Sequence, residues 1–222
     1  ITGVYFNNRT GSMAVSDSLD VTFVYEAGDV IEVPVRVQLL GRAADRDRSL
    51  AIEVTSDNAE EWTDYVLPER AVLPAGASFT DYVVKLNRTE ALKKDKKTIC
   101  LQIFSNEHFS LPVTEIVQVG DTVSTLIYTI SFSDMFTKAP AAWEDNLVGE
   151  FSQQKFELIC KVLDIDPADF NDPEVITLAK LLYISAEMTA YIQEEVRKKA
   201  DREPYDVEAF DKITGEPLNF GR

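Results

Sequence analysis

This sequence predicts an immunoglobulin-like antiparallel β-sandwich followed by a small C-terminal helical region, mainly β with α. Three observations point to it. Residues 30–40 alternate strictly, with Ile31, Val33, Val35, Val37 and Leu39 on one side and Glu32, Pro34, Arg36 and Gln38 on the other. That is the period of a half-buried strand. The segment from Asp64 to Gly76 reads as two short strands that end at Pro68 and Pro74, with Gly76 opening the next turn. Beyond Lys138-Ala139-Pro140 the apolar period lengthens to that of amphipathic helices.

The elements follow in order. Val4-Tyr5-Phe6 is strand-like, and residues 18–25 carry Leu19, Val21, Phe23 and Tyr25 on one side. Gly28-Asp29 makes a turn into the 30–40 strand. Pro34 cannot donate a ladder hydrogen bond, so that strand is expected to lie at an edge or to bulge there. Residues 41–48 form a polar loop, and 49–55 a strand with Leu50, Ile52 and Val54 inward. The acidic stretch 56–63 is irregular. After the two short strands come a strand at 78–87, a basic solvated connection at 90–97, and strands at 97–105 and 122–133. In the last, Leu126, Tyr128, Ile130 and Phe132 share a face. About seven to nine short strands at this spacing fit a sandwich. The expected domains are 1–137, the sandwich, and 138–222, the helical region with a turn-rich tail.

In the second domain Ser152 is the expected N-cap of a helix over 152–163, with Phe156, Ile159, Cys160 and Leu163 on its apolar face. Asp172-Pro173 reads as the N-cap and first residue of a helix to about residue 199. Its expected buried face is Ile176, Ala179, Leu182, Tyr183, Ala186 and Ile192, and Arg197-Lys198-Lys199 complements its dipole. Thr214-Gly215-Glu216-Pro217 is a tight turn, and Trp143 is expected to pack the helical region onto the sandwich.

Net charge of −16, from 38 acidic and 22 basic residues, sets what the surface attracts. It repels phosphate backbones and anionic lipid headgroups, so nucleic acid is excluded as an expected partner. Cys100 and Cys160 lie in different regions without a CxxC pairing and read as free thiols. No run of about 18 apolar residues occurs, so no membrane-spanning helix is expected.

The motifs that could carry chemistry read as structure. His108 is the lone histidine, in Asn106-Glu107-His108-Phe109, and reads as a surface or capping residue. Ser152-Gln153-Gln154-Lys155 matches the SxxK of serine acyl-enzymes, but the partner motifs are absent and Ser152 opens a helix. Asp164, Asp166, Asp169 and Asp172 suggest an EF-hand, yet Asp169 stands where its loop needs Gly and Val175 where it needs Glu. Helix caps and a solvated turn account for them. Asn8-Arg9-Thr10 and Asn87-Arg88-Thr89 match the glycosylation sequon, meaningful in a eukaryotic secreted protein. No catalytic residues and no cofactor are expected, and the protein is read as not an enzyme.

The best candidate site is the acidic loop around Trp62. Exposed aromatic rings stack on the C–H faces of sugars, and Trp62 lies in a loop with Tyr65 beside it. Folding of Trp62 back over the sandwich edge as core is the competing reading. A sugar site here would use Trp62 and Tyr65 as platforms, with Arg46, Arg48, Asp57 and Asp64 bonding to hydroxyls. Asp57, Glu60, Glu61 and Asp64 form a weak calcium candidate at the sandwich end.

Four segments together resemble an uncharacterised lipoprotein family of Bacteroidetes, a domain of unknown function. They are Gly41-Arg42 through Asp45-Arg46-Asp47-Arg48; Asp64-Tyr65 with Leu67-Pro68 and then Leu73-Pro74-Ala75-Gly76; Leu86-Asn87-Arg88-Thr89 with Leu92-Lys93 and then Asn106-Glu107 and Phe109; and Gly149, Phe151-Ser152 and Lys155-Phe156. The β part also looks like the Calx-β variety of immunoglobulin-like sandwich. The family resemblance implies an extracytoplasmic protein of the cell outer membrane, held by a lipidated N-terminus upstream of Ile1. It further implies a place beside the SusC-like transporter and SusD-like glycan-binding partner of polysaccharide uptake. The expected function is then non-catalytic, binding a glycan or supporting the transporter complex. A purely structural or adhesion subunit with no small ligand is the alternative, and a carboxylate-based glycoside hydrolase a third reading.

Overall fold

The computed structural model describes residues 2–10, 14–136 and 138–221. The chain divides into two compact units, one of Ile1–Phe23 and Gly28–Met135, the other of Val24–Ala27 and Phe136–Arg222. The sequence-based boundary falls at Thr137, outside the described residues. Val24–Ala27, assigned from the sequence to the strands around it, groups with the helical unit. Tyr25 draws it there: its ring stands edge-on to Phe156 and Phe136 at 5.4 and 5.8 Å, and its hydroxyl donates to the Lys138 carbonyl.

Among the described residues the first unit holds fourteen strands. They are β1 (Gly3–Phe6), β2 (Asn8–Thr10), β3 (Ala14–Ser16), β4 (Ser18–Thr22), β5 (Val30–Leu40), β6 (Arg48–Ser49), β7 (Ala51–Thr55), β8 (Tyr65–Val66), β9 (Val72–Leu73), β10 (Phe79–Asn87), β11 (Lys97–Phe104), β12 (Glu115–Gln118), β13 (Asp121–Ser124) and β14 (Ile127–Ser133). One four-stranded sheet has the order β1-β5-β10-β8 and the other β4-β14-β11-β7. The pairings within these two sheets are antiparallel, except that β4 runs parallel to β14. Val33, Val35 and Val37 of β5 and Val84 and Leu86 of β10 share one buried cluster with Ile99, Leu101 and Ile103 of β11 and Ile130 and Phe132 of β14. The two inner faces therefore make one core, as a sandwich requires.

The alternation read at 30–40 is the alternation of burial along β5. Pro34 has a specific explanation. The Arg36 carbonyl accepts from the Asn7 N–H, so even-numbered backbone groups of β5 face β1. But β1 pairs only with Val37–Leu40, so it ends before Pro34. The N–H that proline lacks would have pointed at an edge with no strand beside it.

Local departures from the sequence reading have causes. The 18–25 strand stops at Thr22, and Phe23–Tyr25 coil into a 3-10 turn. The 90–97 connection holds a 3-10 turn at Glu90–Lys93 and plants Leu92 fully in the core, so one apolar side chain anchors a charged loop. The 122–133 strand breaks into β13 and β14, because the Ser124 hydroxyl takes the N–H groups of Leu126 and Ile127 at 3.2 Å. β6 and β7 join different partners, β9 and β11, with Leu50 buried between them.

In the helical unit α1 is Asp145–Val148, α2 is Gln153–Leu163 and α3 is Leu178–Ala200. Ser152 caps α2, accepting the Lys155 N–H at 3.2 Å. Asp166 and Asp172 cap turns, accepting from Ala168 and Glu174. Asp172 therefore does not start the long helix. Its turn ends at once, and Thr177 provides the cap of α3, accepting from Lys180. The buried face shifts accordingly. Leu181, Ile184, Met188 and Ile192 point inward, whereas Ala179, Leu182, Tyr183 and Ala186, expected to be buried, are exposed. Trp143 belongs to this unit's own core, 5.1 Å from the Phe151 ring, and its indole N–H bonds to Asp145 and the Gly149 carbonyl. No helix among the described residues is long and apolar enough to cross a membrane.

Candidate functional site

The loop between β7 and β8 is fastened at both ends. The Ser56 hydroxyl accepts the N–H groups of Asn58 and Ala59, and the Asn58 side chain bonds to the Thr98 N–H of β11 and to the carbonyl of Lys96 just before it. At the other end Asp64 is 1% exposed. Its carboxylate accepts from Lys97 Nζ at 2.6 Å, the Glu60 N–H at 2.9 Å and the Thr89 hydroxyl at 3.3 Å. Its carbonyl takes the Asn87 N–H, so the loop is also stitched to β10. Asp64 is thus a structural residue and is not available to a ligand.

Trp62 sits at the apex of this clamp. Its φ of +71° lies in the left-handed region that a bulky residue adopts only at a cost. Its N–H donates to the Tyr65 carbonyl at 2.7 Å, and its side chain is 74% exposed. The core reading of Trp62 is therefore set aside. Tyr65 goes the other way: it pairs across the sheet with Leu86, whose side chain is fully buried, and cross-strand partners share a face. Tyr65 is accordingly buried and cannot be a platform. Burial, with the charges of Glu61 and Asp64, raises the pKa of its hydroxyl.

The two arginines are not part of this loop. Arg46 is exposed and lies before β6, whereas Trp62 follows β7. The eight residues from Arg48 to Thr55 run about 25 Å when extended, which puts the two loops at opposite ends of the sandwich. Arg48 is buried, because its cross-strand partner Leu73 faces the core. Its guanidinium lies 4.6 Å from the Phe109 ring centroid, with Nε and Nη2 unpartnered. What remains around Trp62 is exposed Asp57, Glu60 and Glu61. With Asp64 bound to Lys97, the four carboxylates do not assemble, and no group of three potential metal ligands occurs among the described residues.

The other sequence motifs resolve as structure. His108 contacts Glu107 at 3.6 Å and packs edge-on to Phe109, in a turn capped by Asn106. Lys155 of the SxxK match is buried, with Nζ donating to the Glu150 carbonyl at 2.8 Å beside the Trp143 and Phe220 rings. Burial pulls its pKa down to about 8, partly opposed by Asp145 and Glu150. Asn8 of the first sequon is buried.

A family model for a domain of unknown function (DUF4843) matches residues 2–165. The chain belongs to the DUF4843 family. The match takes in the sandwich and reaches the end of α2 in the helical unit, so it includes the Trp62 loop. None of the curated proteins matches. Among solved structures, this DUF4843 chain is similar to CBD12 of CALX1.2, at 17% identity and a TM-score of 0.40, over 60% of this chain and 45% of that one. Two proteins of unknown function from Bacteroides ovatus are also similar. One has 15% identity and a TM-score of 0.37 over 59% of this chain and 46% of its own. The other has 14% identity and a TM-score of 0.37 over 58% and 43%. The chain thus spans less than half the length of each of these three.

Proposed function

We propose that this protein is a non-catalytic glycan-binding lipoprotein of the cell surface, working within a polysaccharide-uptake system of the SusC/SusD type. One observation carries the binding reading: Trp62 is exposed on a loop whose backbone is strained and whose base is clamped. A bulky residue at positive φ with a solvent-facing ring adds nothing to stability, and such outliers gather at ligand clamps. A solvent-facing indole on a loop whose backbone is already ordered suits stacking on a sugar ring, because the loop need not be ordered on binding. Glu60 and Glu61 are placed to accept from hydroxyls beside it. The lipid anchor and the transporter partner are carried by the family resemblance.

Calorimetric titration of the parent and of Trp62→Ala with neutral oligosaccharides tests the reading. We expect at least a tenfold loss of affinity in the variant, about 1.4 kcal/mol. Equal binding would remove Trp62 from the site, and a parent that binds no glycan would overturn the function. The alternative of an assembly subunit rests on a different surface. Val175, Leu178, Leu182 and Tyr183 of the helical unit are all exposed. Co-purification with a transporter complex in the absence of any glycan affinity would favour it.

A further inference from the structure

The long helix α3 is apolar on two faces, and only one of them is covered. Leu181, Ile184, Met188 and Ile192 point into the core of the helical unit. At about 100° per residue, the side turned away from them holds Ala179, Leu182, Tyr183, Ala186 and Ala190, with Leu178 at its margin. All of these are exposed, Leu178 by 64%, Leu182 by 54% and Tyr183 by 50%. Such a continuous apolar stripe on an outer helix face marks an interaction surface, whereas single exposed apolar residues do not.

The charges along its edge identify the partner. Lys180 and Glu187 stand on the same flank of the stripe, and among the described residues neither has an ion-pair partner within the chain. The Lys180 ammonium lies 5.3 Å from the Tyr183 ring centroid, beside the stripe. Two turns separate Lys180 from Glu187, about 10 Å along the helix, too far for them to pair with each other. The next charge on that flank is already paired: Glu194 is held by Arg197, which also takes Asp201 and Glu203. Exposed Glu174, ahead of the helix, would face the end of a second, antiparallel helix where Arg197 holds Glu194. A second copy of the chain supplies what Lys180 and Glu187 lack. Let two α3 helices lie antiparallel about a two-fold axis, with Leu182 over Ala186 of the second copy and Ala186 under its Leu182. Lys180 then comes level with the second copy's Glu187, and Glu187 with its Lys180, so one ion pair forms twice, as a two-fold contact requires. Ala179 and Ala186, one heptad apart, keep the side chains at the contact small and let the helices approach closely.

We propose that two copies of this chain associate through the outer face of α3, helix against antiparallel helix, with Lys180 and Glu187 pairing across the two-fold axis. The test is sedimentation of the full chain from about 5 μM to about 500 μM, a range suited to a contact smaller than the usual 800 Å² or so per partner. The salt is about 0.15 M, which screens the repulsion between two chains of net charge −16 beyond about 8 Å. The weight-average mass of the parent is expected to rise reversibly from one chain toward two. Lys180→Glu and Glu187→Lys are each expected to weaken association at least tenfold, because each sets like charges together twice. An equimolar mixture of these two variants is expected to associate at least as tightly as the parent, since both cross-pairs are then opposite in sign. Leu182→Asp, at the centre of the contact, is expected to leave a monomer. All three positions lie at the surface, and far-ultraviolet circular dichroism checks that the variants fold. A parent that stays monomeric throughout would overturn the proposal, even one that co-purifies with a transporter complex, which would then be what covers the face. So would single charge variants that associate as the parent does, or a mixture no tighter than either variant alone. Trp62→Ala is expected to associate as the parent does, so this surface and the glycan reading fail or stand separately.

Discussion

Asp64→Ala should damage the sandwich more than its loop position suggests. The carboxylate is buried and takes a lysine, a backbone N–H and a hydroxyl. Removing it leaves Lys97, whose side chain is only 16% exposed, as a largely desolvated unpaired charge. Breaking a buried pair from one side costs about 3–5 kcal/mol. For a unit of this size, at roughly 3 °C per kcal/mol, that corresponds to a fall in Tm of about 10–15 °C. The control is Asp81→Ala, whose pair with Arg36 is 31% and 43% exposed and should be worth about 1 kcal/mol or less. Thermal and urea unfolding followed by far-ultraviolet circular dichroism reads both. A double variant, Asp64→Leu with Lys97→Met, should recover most of the loss, because it removes both charges together. An Asp64→Ala loss no larger than that of Asp81→Ala would refute the argument. So would a double variant as unstable as the single one, since the unpaired lysine is then not the cause.

Three further outcomes are expected. Trp62→Gly should leave the urea midpoint unchanged or raise stability by up to about 1 kcal/mol, because glycine accepts the left-handed φ that tryptophan resists; a clear loss would mean that the indole packs. Lys155, at about 8 against the usual 10.5, binds its proton more weakly folded than unfolded, so its contribution rises with pH between about 8 and 10.5 and is flat below. At about 1.36 kcal/mol per pH unit the whole window is worth roughly 3 kcal/mol, and Lys155→Met should flatten the difference in stability between pH 8 and pH 10. Burial, with Asp166, Glu157 and Asp169 nearby, pushes the Cys160 thiol up to about 12, so maleimide at neutral pH should modify it only on unfolding. Rapid labelling in the native state would contradict that burial.

The strands with a clean period were legible from the sequence, and so were the residues that interrupt them. The 30–40 alternation gave the central strand β5, and Pro34 marked the place where its neighbour ends. Short strands such as β2, β3 and β12 left no period long enough to see. Tyr65 and Arg48 show the deeper limit. Each has the chemistry of a surface residue, yet each is paired with a buried leucine, Leu86 and Leu73, and the pairing decides the face. Two-residue strands carry too little alternation to reveal such a register. The long helix failed for a related reason. Asp172-Pro173 is a valid start signal, but the turn it opens is not continued, and Thr177 resets the helical phase.

The groups around Trp62 set the charge of what that loop would bind. Around Trp62 the exposed carboxylates are Asp57, Glu60 and Glu61, all acceptors when ionised and all repelling an anionic chain. The net charge of −16 acts in the same sense at longer range. A polymer rich in uronate or sulfate would meet a barrier there, one that salt would lower within a Debye length of about 8 Å. A neutral polysaccharide would meet none, and its hydroxyls would find acceptors in those carboxylates. For any polymer presented to this surface the acidity would therefore act as a filter, selecting by repulsion before any contact is made.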